Sequence, residues 1–156
     1  MQIIIRPYEG SDLDAVMEVF LHSIRKVASR DYDAGQIDAW AHADRAVWSR
    51  RRLDRPTWVA VIDKTVVGFS DLESGGHIDM LFVRPEFQRM GVAGALLDQV
   101  ERAAWFQRLT ALDTDASITA RPFFESRGFR VVQPQVVELR GALLNNFRMQ
   151  KQLIAV

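Results

Sequence analysis

"RPEFQRMGVAGALL", residues 84–97, decides how this chain is read. Pro85 lacks an N–H and stops strand pairing. Gly91, Ala93 and Gly94 then open a segment in which Val92, Leu96, Leu97 and Val100 recur at helical spacing. The stretch is neither G-x-G-x-x-G nor a P-loop, because no Gly-Lys-Ser/Thr follows. The first turn of a helix leaves its N–H groups unpaired, and the helix dipole adds partial positive charge there. With small residues at 91, 93 and 94, an anionic group fits against the amides of residues 89–94. The pattern predicts a phosphate or pyrophosphate cradle built from backbone, with Arg89 adding charge at its rim.

Working outward, "HIDMLFV" (77–83) reads as the strand feeding this turn, and the helix is expected over 89–105. "TWVAVID" (57–63) and "TVVGFSDLE" (65–73) are β-rich runs. Asp63-Lys64 and Ser74-Gly75-Gly76 punctuate them, which predicts three antiparallel strands joined by tight turns. Upstream, "IIIR" (3–6) reads as a buried strand. A helix is expected from Ser11, with Asp14 completing a capping-box variant, and its apolar stripe runs through Leu13, Val16, Phe20 and Ile24. A second helix is expected over about 33–52. Downstream come a strand at 109–117, a short helix at 119–128 stopped by Gly128, and a closing hairpin. Pro134 must lie at a bend or edge of that hairpin. The order is β-α-α-β-β-β-α-β-α-β-β, a mixed α/β fold in a single domain over 1–156.

Composition bounds the function. Hydrophobic residues make up 48% and charged residues 26% of the 156, enough for a folded core. Lysine plus arginine (20) balances aspartate plus glutamate (20), which argues against nucleic acid as a partner. There is no cysteine, hence no disulfide, thiolate nucleophile or cysteine metal site. The N-terminal run lacks the basic start and long apolar stretch of a signal peptide, and no run approaches the ~18 apolar residues of a membrane span. The expectation is a cytoplasmic protein without a membrane partner, either a monomer or a homodimer through its terminal strands.

The motif resembles the acyl-CoA-binding segment of the GNAT superfamily of N-acetyltransferases, Q/R-x-x-G-x-G/A, here Gln88-x-x-Gly91-x-Ala93. "ASITARPFFESRGF" resembles the family's N-x-x-A-x-x-x-Y-x-x-x-G-F segment, ending at Gly128-Phe129, and the element order matches over the whole chain. The detail is most similar to the small YafP-like bacterial branch. The resemblance implies a GNAT fold, mostly antiparallel, with a splayed central strand pair (77–83 against 109–116). It implies acetyl-CoA as donor and direct transfer of acetyl to an amine. The donor would rest on Gln88, Arg89, Met90, Gly91, Val92, Ala93 and Gly94, with pantetheine along Leu81, Phe82 and Val83 as an added strand and Phe124 beside it. The family's tyrosine position holds Phe124, which cannot donate a proton, and its asparagine position holds Ser117. Either Ser117, water or another group serves the leaving thiolate, or the acid role is unfilled. A non-catalytic acyl-CoA-binding module is the alternative that Phe124 raises.

The transfer needs a base for the amine and an acid for the thiolate. Asp79 and His77, two apart on one strand face, are the base candidates. His77 reads equally as an exposed strand-start residue. Asp79, an acid inside an apolar strand, favours a cleft role, and Glu73 reads as a turn residue at the acceptor end. Tyr32, Gln36 and Trp40 share a four-residue stagger, if the helix already covers Tyr32. They read as packing or, since the family's first helices cover the acceptor, as an acceptor pocket through Tyr32 and Trp40. Trp48, Trp58 and Trp105 read as core or cover, and "SRRRLDRP" (49–56) as a solvated helix end. His22 and His42 have no partners at metal spacing, and no metal is expected.

Overall fold

A two-residue break in one strand organises the molecule. The structure is a computed structural model and describes residues 2–153. In place of one strand over 77–83 it has β4 (His77–Ile78) and β5 (Leu81–Val83), and these belong to different sheets. Before them come β1 (Ile4–Pro7), α1 (Leu13–Lys26), α2 (Ala34–Trp40), α3 (Arg45–Asp54), β2 (Thr57–Ile62) and β3 (Thr65–Asp71). After them come α4 (Val92–Phe106), β6 (Ala111–Ser117), α5 (Arg121–Ser126), β7 (Arg130–Leu139) and β8 (Ala142–Gln152). One sheet runs β1-β2-β3-β5, all antiparallel. The other runs β4-β6-β8-β7, antiparallel except for β4 with β6.

Side chains replace the ladder at the break. Asp71 Oδ1 accepts the N–H groups of Asp79 (3.0 Å) and Met80 (2.9 Å). Ser70 Oγ donates to the Met80 carbonyl (2.8 Å), and the Thr114 hydroxyl donates to the last carbonyl of β4, Ile78 (2.8 Å). The two N–H groups of the break and the carbonyls of Ile78 and Met80 are thus satisfied. Pairing of β4 with β6 ends at Ile78↔Thr114, while β5 follows β3. From that point Leu81–Val83 and Asp115–Ser117 diverge and open a cleft, the splay that the resemblance implies.

β2 and β3 are buried along nearly their whole length, because the first sheet is covered on both faces. Val16, Val19, Phe20 and Ile24 of α1 pack with Val59 and Phe69, while Val92 and Leu96 of α4 pack with Ala60, Ile62 and Val67. Leu97, Val100 and Ala104 of α4 join Leu112, Ala116, Phe124, Phe129 and Met149 in the second sheet's core.

Four expectations need correction. Ser11 does not cap the first helix. Glu9 starts a short 3-10 turn over Gly10–Asp12, Asp12 accepts the Glu9 N–H (2.8 Å), and exposed Asp14 pairs with Arg45 instead. The helix expected over 33–52 is two, because Asp44 takes an extended conformation and its side chain accepts the Val47 N–H as a new N-cap. Arg52, in the run read as solvated, is 2% exposed. β1, expected as a buried strand, is an edge strand with Ile4 half exposed, while half-exposed Trp105 is cover rather than core. Pro134 does lie on an edge strand, β7, and Gly128 ends α5 at φ +90°.

Candidate active site

Two cavities flank the splay and meet there. The first, about 410 Å³, lies between β5 and the start of α4; Leu81–Val83, Gln88, Arg89 and Gly91–Gly94 line it. Gln88 Nε2 donates to the Val83 carbonyl (2.9 Å) and fixes the entry to the turn. Arg89 (φ +61°) and Gly91 (φ +86°) both take left-handed backbone, which folds the turn into a concave nest ahead of the helix. The first backbone bond of α4 is Ala95 N–H to Gly91 O (3.0 Å), so the amides of Val92, Ala93 and Gly94 have no partner one turn back. A Cβ on Gly91 would meet nothing within 4 Å, so that position faces open space. The expected cradle is therefore present in shape and fits a pyrophosphate. Met90 is the exception: its exposed side chain does not line the cavity.

The second cavity, about 420 Å³, opens on the other side, under α2, α3 and the β7–β8 turn. Its walls are aromatic: Phe20, Tyr32, Trp40, Trp48, Phe82 and Phe124. Phe82 meets Phe20 edge-on at 5.0 Å between centroids, and Trp40 meets Tyr32 at 5.5 Å. Asp79 and Asp115 are its carboxylates beside the splay. Trp40, Leu81, Phe82, Ser117 and Ala120 line both cavities and mark the junction.

The expected residues divide on this geometry. Asp79 lines the second cavity and Ser117 the junction. Ser117 Oγ accepts the Ala120 N–H (3.0 Å), which leaves its own proton free to donate. Tyr32 precedes α2 rather than lying in it, yet its ring reaches the cavity. Its hydroxyl accepts the Ile118 N–H (2.9 Å) and donates to the Asn145 carbonyl (2.5 Å), so it ties β8 to the end of β6. Burial pushes its pKa up, keeping the phenol neutral. Gln36 turns away, capping α2 against Asp33 and donating to the Leu143 carbonyl. Phe124, expected beside the donor, lines the second cavity rather than the first and packs on Phe123 and Phe129, since α5 turns its buried face into the second sheet's core.

Glu73 and His77 line neither cavity. Each offers one ligand atom with Asp79, all within 4.8 Å of one another, a spacing a metal could use. Arg55 already supplies a cation there, with Nη1 3.2 Å from Glu73 and 3.7 Å from Asp79. His77 Nδ1 lies 2.5 Å from Asp113 Oδ1 and its Nε2 lies 4.0 Å from Asp115. Burial pushes the His77 pKa down, but the hydrogen bond and charge of Asp113, with Asp115 and Glu73 behind, outweigh it and raise the pKa.

Sequence reasoning missed Asp113, Asp115, Arg55 and Asp71. Asp113 and Asp115 alternate along "LTALDTDAS" and so share one strand face, a signal available but unused. Asp71 is fully buried and meets Arg52 at 3.1 Å. The Arg52 guanidinium also lies over Trp48 (5.5 Å) and Phe69 (5.9 Å). Burial raises the Asp71 pKa against the pull of Arg52.

Known proteins agree with this geometry. The sequence matches the family described as "Acetyltransferase (GNAT) domain" over residues 28–153. It is 42% identical over 147 residues to the "Uncharacterized N-acetyltransferase YafP" of Escherichia coli K12, covering 94% of this chain and 93% of that one. A GCN5-related N-acetyltransferase structure from Rhodopseudomonas palustris superposes with a TM-score of 0.95 at 34% identity, covering 98% of this chain and 97% of that one. The PaiA N-acetyltransferase of Thermoplasma acidophilum, solved with coenzyme A, shares the fold at a TM-score of 0.76 and 21% identity, covering 98% and 100%. With the family spanning most of the sequence and a full-length relative at 42% identity, the chain belongs to the GNAT acetyltransferases and is an N-acetyltransferase.

Proposed function

We propose that acetyl-CoA occupies the first cavity and that a small or peptide amine enters through the second, with transfer at their junction. The observation that carries this reading is the meeting of the two cavities at Leu81, Phe82 and Ser117, on either side of the splay. When bound, acetyl-CoA supplies the acetyl group as a thioester. The amides of Val92, Ala93 and Gly94 hold its pyrophosphate, with Arg89 at the rim. Among the described residues β5 pairs with β3 on one side only, so its other edge is free to pair with the pantetheine amides.

Asp79 takes a proton from the incoming ammonium, directly or through one water, so that the neutral amine attacks the carbonyl carbon. As the N–C bond forms and the C–S bond breaks, the electron pair goes to sulfur, and the proton that the acylated nitrogen sheds passes through the Ser117 hydroxyl at the junction to the thiolate. Phe124 cannot take that part and keeps water from the apolar wall. His77, held by Asp113, stands behind Asp79 as the next proton acceptor toward solvent. The aromatic walls of the second cavity favour a cationic or aromatic acceptor.

Calorimetry with acetyl-CoA, followed by thiol release with amines, polyamines, aminoglycosides, amino acids and peptides, tests the reading. The expected result is acetyl-CoA binding without an acceptor and thiol release with at least one amine class. A protein that binds neither CoA nor acetyl-CoA at millimolar concentration overturns the donor assignment.

A further inference from the structure

Gly94 lies outside the Q/R-x-x-G-x-G/A match, yet it is the tightest glycine of the first cavity. A methyl group built there would overlap Nη2 of Arg127 and lie 2.9 Å from its Cζ. The guanidinium of Arg127 therefore rests directly on the bare backbone of the first turn of α4. It also lies over the Phe123 ring (5.8 Å), and its Nη1 pairs with Asp98 (3.2 Å). Arg127 and Phe123 both line the cavity. Glycine at 94 thus makes room for a cation, which is a different task from letting an anion approach the amides.

We propose that Arg127, seated on Gly94, is a specificity-determining residue that binds a phosphate of the donor. The inference rests on the donor reading above. Three features carry it. The guanidinium is held on three sides, by Gly94, Phe123 and Asp98, so little side-chain entropy remains to be lost on binding. The Asp98 pair is exposed, with side chains 38% and 59% accessible, and is weak enough to yield to a doubly charged phosphate. Position 127 also adds side-chain charge to a cavity whose other charged lining residue is exposed Arg89. Coenzyme A offers two phosphate sources, the pyrophosphate and the 3′-phosphate of its ribose. Arg127 lies beside the third residue of α4, within reach of either.

Calorimetry of CoA and acetyl-CoA binding, without an acceptor, provides the test. Arg127→Met should weaken binding by about tenfold or more, and Arg127→Lys should recover part of the loss. Gly94→Ala displaces only the end of a flexible side chain, so it should fold normally and weaken binding. In the Arg127→Met background it should cost almost nothing further. Dephospho-CoA separates the sources: a penalty that disappears with it assigns the contact to the 3′-phosphate, and one that persists assigns it to the pyrophosphate. Arg127→Met binding CoA within about twofold of the native protein would overturn the proposal. Equal losses from Gly94→Ala in both backgrounds would overturn the seat. Failure of the native protein to bind CoA would instead strike the donor reading.

Discussion

The two sides of the cleft are built by different means. The donor side is centred on one local stretch, residues 81–94, whose working groups are backbone amides at a turn and a free strand edge, with residues of α1 and of 117–127, Arg127 among them, walling it. The acceptor side is assembled from Phe20, Tyr32, Trp40, Asp79, Asp115 and Asn145, drawn from the whole length of the chain, and its working groups are side chains. A backbone-built site requires only that certain positions be small and that the turn have the right shape. It therefore leaves a short contiguous pattern. A site built of side chains requires tertiary structure to bring its members together, and no local pattern records it.

Asp71 is the place to break that comparison, because it serves both sides. Its carboxylate holds the N–H groups of Asp79 and Met80, so it both opens the donor cleft and places the acceptor-side acid. Asp71→Ala leaves those amides and the buried Arg52 uncompensated and should cost about 3–5 kcal/mol in denaturant unfolding. In whatever fraction folds, donor affinity and turnover should fall together. A variant of native stability with intact donor binding would mean that the break is held by the ladders around it.

Gly91→Glu should separate the sides. The left-handed φ of +86° costs a non-glycine residue roughly 1–2 kcal/mol. The larger effect is a carboxylate in open space before the amides, which should weaken acetyl-CoA binding by about 100-fold. Acceptor binding, measured by ligand-observed NMR once an amine is known, should change little. Loss of both would show that the two cavities fold as one unit.

The same asymmetry explains what could be read in advance. The turn at 88–94, the Gly128 stop and the edge position of Pro134 follow from local chemistry and are present, and the element order holds apart from the divided second helix and the broken strand at 77–83. The break at Asp79–Met80 was not legible, because "HIDMLFV" has unbroken strand propensity and the cause is Asp71, eight residues earlier. Arg52 reads as one charge in a polar run, since burial of a guanidinium depends on a partner brought in by the sheet. The division of the second helix could have been read from Asp44, an N-cap residue three before Val47. Phe124 lines the second cavity because its neighbour Phe123 takes the face of α5 toward the first, a choice that the sequence "PFFES" leaves open.

Asp79→Asn sharpens the comparison from the acceptor side. It keeps the shape and the Asp71 bonds, which use the Asp79 backbone, but removes the carboxylate. Turnover should fall by about 10²-fold near neutral pH, with acetyl-CoA affinity unchanged. The deficit should shrink as pH rises toward the pKa of the amine, because a neutral acceptor no longer needs the base. A deficit constant across the pH series, in an assay limited by chemistry, would remove Asp79 from proton transfer.

The smallest effect concerns His77, which stands behind the acceptor side. Its neighbours are Asp113 at 2.5 Å, Asp115 at 4.0 Å and Glu73, with Arg148 3.4 Å from Asp113 as the opposing charge. Burial disfavours the imidazolium, but Asp113 and the other carboxylates outweigh it, so the pKa lies above the ordinary value near 6.5. A raised histidine stabilises the fold while the imidazolium is present in the native state. Its contribution is therefore complete below about pH 6.5 and is lost as pH rises through the folded-state pKa. NMR titration of the imidazole should give a midpoint above that of an unstructured histidine, and Asp113→Asn should bring it down. The melting-temperature gap between native protein and Asp113→Asn should be widest at mildly acid pH and narrow above the His77 midpoint, down to the part that Arg148 contributes. A native midpoint at or below the unstructured value would mean that burial wins over the carboxylates. His77 would then be neutral at working pH and contribute no charge behind Asp79.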